Sequence, residues 1–258
     1  MKTLWFYWGQ EHLSYLRYLT LVSARRFQRD IILVTREHPV KPQVEWSEQQ
    51  DFQLEPTGKN WMPEVDRLDI DTIRLETLAP KIADLQAPDP QTSDLLAWWI
   101  LGSYGGTVAD MDIMFIRELP EIIQSVQITR FAAHPKVDYM PVSFMQGHPC
   151  NAWREAFARA LKRYSPNIYE SCGAGCFTRK VSPWLSDRVV YPRAGKEYSW
   201  SRWHSWLFCD DHWPEIPEAT VGLHWYAGHN QRHNQAIKGP EDLKHGAVCW
   251  AARQVIGI

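Results

Sequence analysis

Three aspartates and one histidine carry the chemistry that this sequence offers. Asp110 and Asp112 stand two apart in "GGTVADMDIMFI", among residues that are otherwise largely apolar; Asp94 opens the helical stretch "SDLLAWWIL", and His224 lies far downstream in "GLHWYAGH". Two like charges on an apolar strand repel each other and lose hydration, so the pair must shift its pKa values or find a compensating cation. On a strand, residues two apart point the same way, which places the two carboxylates about 7 Å apart along one face. Hard oxygen ligands at that spacing suit magnesium or manganese, usually held by one or two carboxylates together with substrate phosphates. Were the strand to end at Ala109, the aspartates would occupy a solvated turn; the apolar "IMFI" that follows favours strand.

The elements that must position these residues can be read from periodicity. "TLWFYW" is a run of β-favouring residues, Gly9 follows, and Leu13, Leu16, Leu19 and Val22 then recur as one helix face. "DIILVT" (30–35) is a continuous apolar run suited to a strand buried on both faces of a parallel sheet, so the chain opens as a βαβ unit. Residues 36–65 are polar and contain Pro39, Pro42, Pro56 and Pro63, which predicts irregular connections. After "APDPQTS", Ser93 is placed to cap a helix whose buried side is Leu95, Trp98, Trp99 and Leu101, and Gly105 and Gly106 can end it at positive φ. "NAWREAFARALKRY" (151–164) is a well-formed amphipathic helix, and "CGAGC" implies a tight backbone approach. The Trp- and His-rich C-terminal stretch shows no clear period.

Composition excludes several classes. Lys and Arg total 28 against 30 Asp and Glu, so there is no footprint of a general nucleic-acid binder, and the locally basic "SARRFQRD" reads as a solvated helix end. "MKTLWFYW" has no basic segment leading into a signal-like apolar region, and "LLAWWIL", the longest apolar run, is too short to span a bilayer; neither export nor a membrane span is expected. Five cysteines, an odd number, fit free thiols in a reducing compartment and hence a cytoplasmic location. Cys172 and Cys176, with "HSWLFCDDH" further on, lack the paired spacing of a zinc ribbon or finger. "HNQRH" lacks the glutamate a zinc protease needs. Most of the fourteen tryptophans are expected in the core, with a minority in a site where an indole can stack on sugars or bases.

The stretch "SDLLAWWILGSYGGTVADMD" resembles the signature of the DXD sugar transferases related to the yeast initiating mannosyltransferases, the α-1,4-galactosyl and N-acetylglucosaminyl transferases and the large glucosylating toxins. In those proteins a Ser-Asp pair opens a helix that ends in Gly-Gly and leads to Asp-x-Asp. "LWFYWGQ" resembles the family's first strand, whose aromatic residues line the nucleotide base. "SFMQGHPCNAW" is similar to its segment of small-residue turn, His-Pro and helix, and "YESCGAGCFT" to a glycine turn before another strand. His224 with Gly228 fits a pattern in which an imidazole reaches the metal and diphosphate.

The resemblance implies an α/β GT-A type fold, a Rossmann-like central mixed sheet flanked by helices. It implies one domain over residues 1–258, with about 220–258 as a C-terminal loop or lid. It further implies metal-dependent transfer of a sugar from a nucleotide-sugar donor, UDP-linked by preference, to a carbohydrate or other hydroxyl acceptor, with retention of configuration. Asp110, Asp112 and His224 would hold Mn2+ or Mg2+, and Tyr7, Trp8, Asp94, Gly106 and Asp110 would bind donor; no protein nucleophile is assigned. Nucleic acid is not an expected partner, but a modified nucleic-acid base stays open as an acceptor, because the near-neutral charge argues only weakly against it. Two positions depart from the pattern: Ala97 stands where the family has a donor-contacting arginine, and Val108 where it has an aromatic residue. Two other readings compete. One is a phosphohydrolase of the haloacid dehalogenase kind, which also uses D-x-D but after its first strand; the other is a non-catalytic sugar-nucleotide binder.

Overall fold

The apolar run at the start forms β1 (Leu4–Trp8), and α1 (Tyr15–Phe27) carries the chain back to β2 (Ile31–Thr35), parallel to β1 in the register Leu4 to Ile31. The computed structural model describes residues 3–40, 57–122, 125–128, 142–177, 205–210, 216, 218–228 and 230–258. The opening βαβ unit is therefore as the sequence predicts. Of the irregular stretch expected over 36–65, residues 41–56 lie outside the described residues.

Beyond it come β3 (Asp71–Arg74), two single-turn helices, α2 (Leu75–Leu78) and α3 (Pro80–Ala83), and the long helix α4 (Asp89–Ser103). Then follow β4 (Gly106–Ala109), β5 (Ile113–Phe115), β6 (Gln127–Ile128), β7 (Phe144–Gly147) and α5 (Asn151–Arg163). The C-terminal part supplies β8 (Gly222–His224), α6 (Gln231–Ala236) and α7 (Gly246–Ile256). Six strands make one sheet in the order β3-β2-β1-β4-β7-β6, with β1 to β4 parallel and β7 antiparallel to both of its neighbours. From β1 the chain builds outward through β2 and β3, then returns to lay β4 on β1's other edge. The topological switch point, outside whose carboxyl end open α/β sheets bind ligands, thus lies between β1 and β4.

Side chains alternate across the sheet as a two-residue period requires. Trp5, Tyr7, Val34, Val108 and Met145 meet α4 and α5 through Trp98 and Trp153, while Leu4, Phe6, Leu33, Ala109 and Phe144 face α1 and β5. A third apolar cluster joins Leu16 and Leu19 of α1 to Met114, Leu223, Trp225 and Val248. Among the described residues, no helix is long and apolar enough to cross a membrane.

Three expectations are corrected. First, α4 starts at Asp89, with Pro88 as its cap, so Ser93 and Asp94 lie in the second turn. Pro90 sits in the first turn, where its preset φ favours helix and its missing N–H costs nothing. Second, much of the segment expected as a C-terminal loop or lid over about 220–258 is regular structure, namely β8, α6 and α7. Ala247, Val248, Ala251 and Ala252 are fully buried on one side of α7, and small side chains let that helix pack closely with α1's cluster. Third, the D-x-D is not inside a strand. β4 stops at Ala109, Asp110 to Asp112 form a turn, and β5 leaves the main sheet to pair antiparallel with β8.

The glycines that end α4 behave as expected, with φ of 71° at Gly105 and 101° at Gly106. A Cβ on Gly106 would lie 2.5 Å from the Thr3 carbonyl oxygen, so β4 can enter beside β1 only without a side chain there.

Candidate active site

Asp110 marks the point where β4 runs out. Its N–H still donates to the Ser143 carbonyl (2.9 Å), and its own carbonyl accepts from Ile113 N–H (3.3 Å), closing a tight turn. This turn is not solvated, because β8 and the residues after it lie over it. Trp225 N–H donates to the Asp112 carbonyl at 2.9 Å, and Ala227 N–H to the Asp112 carboxylate Oδ2 at 2.7 Å. His224 pairs with Ile113 across the two-stranded sheet, and its Nε2 lies 3.0 Å from Asp112 Oδ1. One ligand atom from each of Asp110, Asp112 and His224 falls within 4.8 Å of the others. The turn, not a shared strand face, is what draws the carboxylates closer than the spacing of a straight strand allows.

Electrostatics divide the two aspartates. Burial and the neighbouring Asp112 charge push Asp110 up to about 6. Burial also acts on Asp112, yet the His224 charge, its hydrogen bond, Arg17 and the Ala227 N–H outweigh it and hold Asp112 down at about 2. His224 is raised despite its burial, because both carboxylates favour its charged form. Two oxygen donors and an imidazole make a set that fits manganese well and magnesium acceptably. Asp112 Oδ1 and His224 Nε2 share a proton at the spot where a cation would take both lone pairs, so metal binding there would release that proton.

The turn after β8 is strained. Tyr226, not a glycine, sits at φ 49°, with its ring stacked on His224 at 4.1 Å between centroids. Asn230 Nδ2 donates to the carbonyls of Trp225 (2.8 Å) and Tyr226 (3.3 Å), which helps hold this conformation. His229 lies outside the described residues.

Other residues predicted for the site are distributed unevenly. Asp94 is close enough to Asp110 for its carboxyl to be raised well above the usual range, first by burial and then by the Asp110 and Glu170 charges. A Cβ on Gly173 would meet Asp94 Oδ2 at 3.0 Å, so the first glycine of "CGAGC" packs closely on this carboxylate. Trp8 ends β1 beside the switch point, its ring facing the Arg17 guanidinium at 4.4 Å. Tyr7 points to the opposite face of the sheet, where its OH donates to Asp89 Oδ1 at 2.9 Å. Gly106 begins β4, at the far end of that strand from Asp110, and its position answers to the Thr3 contact.

Two residues that sequence reasoning passed over belong to this region. Asp89 receives hydrogen bonds from Tyr7 and from Gln10 Nε2. Arg17, in the first turn of α1, supplies the positive charge that the aspartate pair demands, since its field lowers both Asp110 and Asp112. A cation in a helix's first turn opposes the helix dipole, and that anomaly was visible in the sequence.

No family model matches the chain, and no curated protein matches it. Among solved structures its fold is similar to that of the PaToxG glycosyltransferase, with a TM-score of 0.50 at 14% identity over 69% of this chain and 67% of that one. The apo-form glycosyltransferase GlyE of Streptococcus pneumoniae is more distant, with a TM-score of 0.35 at 10% identity over 62% of this chain and 37% of that one. The chain has the α/β architecture of a glycosyltransferase of GT-A type.

Proposed function

We propose that this protein is a metal-dependent glycosyltransferase that moves a sugar from a nucleotide-sugar donor, UDP-linked by preference, to a hydroxyl acceptor with retention of configuration. The observation that carries the proposal is the convergence of Asp110, Asp112 and His224 just beyond β4, beside the switch point, in a sheet shared with a solved glycosyltransferase. Similar sheets host many chemistries, so the weight rests on the cluster and not on the fold.

Asp110, Asp112 and His224 would hold Mn2+ or Mg2+. When bound, the cation offsets the negative charge that grows on a diphosphate leaving group. Asp112 is fixed by His224 and the Ala227 N–H, so its carboxylate is oriented before any ligand arrives. Asp94, half-buried and raised in pKa, is suited to hydrogen-bond sugar hydroxyls either as acceptor or as protonated donor. Trp8 offers an aromatic face at the end of β1 for the nucleoside.

A haloacid dehalogenase-like reaction is disfavoured by the placement of the motif after β4, behind two glycines, and by the engagement of both Asp112 oxygens. Incubation with a panel of nucleotide sugars and Mn2+, followed by detection of released nucleotide and mass spectrometry of any glycosylated acceptor, tests the proposal. Nucleotide release that requires Mn2+ is expected. Binding of donor with no turnover toward any acceptor or water would identify a sugar-nucleotide binder, and release of inorganic phosphate from phosphate esters would replace the reading with a hydrolase.

A further inference from the structure

Arg17 is partly buried, and its guanidinium is flanked by two indole rings, Trp8 at 4.4 Å and Trp225 at 5.6 Å from the ring centroids. Among the described residues it makes no hydrogen bond and no ion pair. The contrast with Arg36 is instructive: that guanidinium is the more enclosed of the two, and it donates to the carbonyls of Ala87 and Ala83 and to Thr92 Oγ1. A guanidinium is always charged and carries five N–H donors; those of half-buried Arg17 meet no protein acceptor among the described residues and stay open to a ligand.

Nearby carboxylates do not take up these donors. Asp112, Asp110 and Asp89 all act on Arg17 through their fields. The Asp112 oxygens are nevertheless committed to His224 and to the Ala227 N–H, and Asp89 to Tyr7 and Gln10. Each flanking indole adds a further unused donor: Trp8 Nε1 and Trp225 Nε1 are both buried with no hydrogen-bond partner. Arg17 also stands at the N-terminal turn of a 13-residue helix whose cap, Ser14, donates its hydroxyl to Asn234 Oδ1 instead of serving the helix N–H groups. Two buried, unpartnered indole donors, a guanidinium with no protein acceptor among the described residues and a positive helix end therefore meet at the switch point.

We propose that Arg17 is an anion clamp that binds the diphosphate of the donor, facing the Asp110–Asp112–His224 cluster, with Trp8 and Trp225 holding its plane. The planar fork of a guanidinium matches two phosphate oxygens at once, which an ammonium cannot do. This inference rests on the nucleotide-sugar reading of the site. An alternative role, in which Arg17 only offsets the charge of the aspartate pair, makes opposite predictions for metal and anion.

Calorimetric titration of the full chain separates them, with Mn2+ alone and then with inorganic pyrophosphate or UDP at saturating Mn2+. Arg17→Gln is expected to bind Mn2+ as well as wild type or better, since a like charge is removed, and to bind pyrophosphate about ten- to hundredfold more weakly. Arg17→Lys, which keeps the charge and loses the fork, is expected to fall between. Thermal unfolding establishes that each variant is folded; should the glutamine variant not fold, the lysine variant decides. Pyrophosphate affinity within twofold of wild type in the folded variants would overturn the clamp, as would equal losses for metal and anion. Were wild type to bind neither pyrophosphate nor UDP in the presence of Mn2+, the nucleotide-sugar reading would fall first, and the clamp with it.

Discussion

His224 Nε2 lies 3.0 Å from Asp112 Oδ1, although the two residues are separated by half the chain, because β8 pairs with β5 and sets His224 opposite Ile113. That register turns a D-x-D turn into a three-ligand cluster. It also ties metal binding to the C-terminal segment.

Asp112→Asn should therefore remove Mn2+ binding while keeping the side-chain volume and one oxygen to accept from Ala227 N–H. We expect the Mn2+ dissociation constant to rise by more than about 100-fold, beyond what the loss of an outer-shell partner causes. Titration followed by the EPR signal of free Mn2+ measures this. A folded Asp112→Asn protein with unchanged Mn2+ affinity would remove Asp112 from the ligand set.

Asp110 makes the opposite contribution to stability. Its folded-state pKa of about 6 lies above the ordinary value of 3.8, so the fold favours the protonated form, and stability is lost as pH rises from about 4 to about 6. Asp110→Asn should accordingly stabilise the metal-free protein at neutral pH by about 1–3 kcal/mol, allowing for partial solvent screening. The gain should vanish below about pH 4, where both proteins are neutral at this position. Denaturant unfolding at pH 7.5 and pH 4 in the presence of EDTA checks the sign; a variant less stable than wild type at pH 7.5 contradicts it.

Tyr7 and Trp8 are predicted to separate. Tyr7 gives its OH to Asp89 and packs with α4's face of the sheet, whereas Trp8 stands at the switch point under Arg17. Tyr7→Phe should cost about 1 kcal/mol of stability and leave UDP affinity unchanged. Trp8→Ala should weaken UDP binding measured with Mn2+ present. Weakened UDP binding in a fully stable Tyr7→Phe protein would restore Tyr7 to the donor pocket.

Gly106→Ala should damage the fold and not the donor site directly. The new Cβ would meet the Thr3 carbonyl at 2.5 Å, and φ of 101° is strained for any residue with a side chain. We expect a loss of at least about 2 kcal/mol in chemical denaturation. A near-wild-type midpoint would show that β1 and β4 can shift apart at this end.

Local chemistry made much of this protein readable before its structure. β1, α1, β2 and α5 follow from apolar periodicity, and Gly105 and Gly106 from the need for positive φ after a helix. Those signals depend on residues a few positions apart, and a linear pattern records them. The carboxylate pair was legible as an anomaly that required a cation, and its position behind Gly-Gly resembles the pattern of the DXD sugar transferases. What the pattern did not contain is pairing between distant segments. The strand break after Ala109 arises because β5 finds β8, more than a hundred residues away, and the order of residues carries no mark of that choice. Residues from about 220 to 258 read as loop or lid because Ala247, Val248, Ala251 and Ala252 gain meaning only when α1 is packed near them. Arg17 was overlooked for the same reason. A cation in a helix's first turn is a mild anomaly by itself, and only the tertiary structure sets it between Trp8 and Trp225, near Asp112 and Asp89, whose hydrogen bonds lie elsewhere.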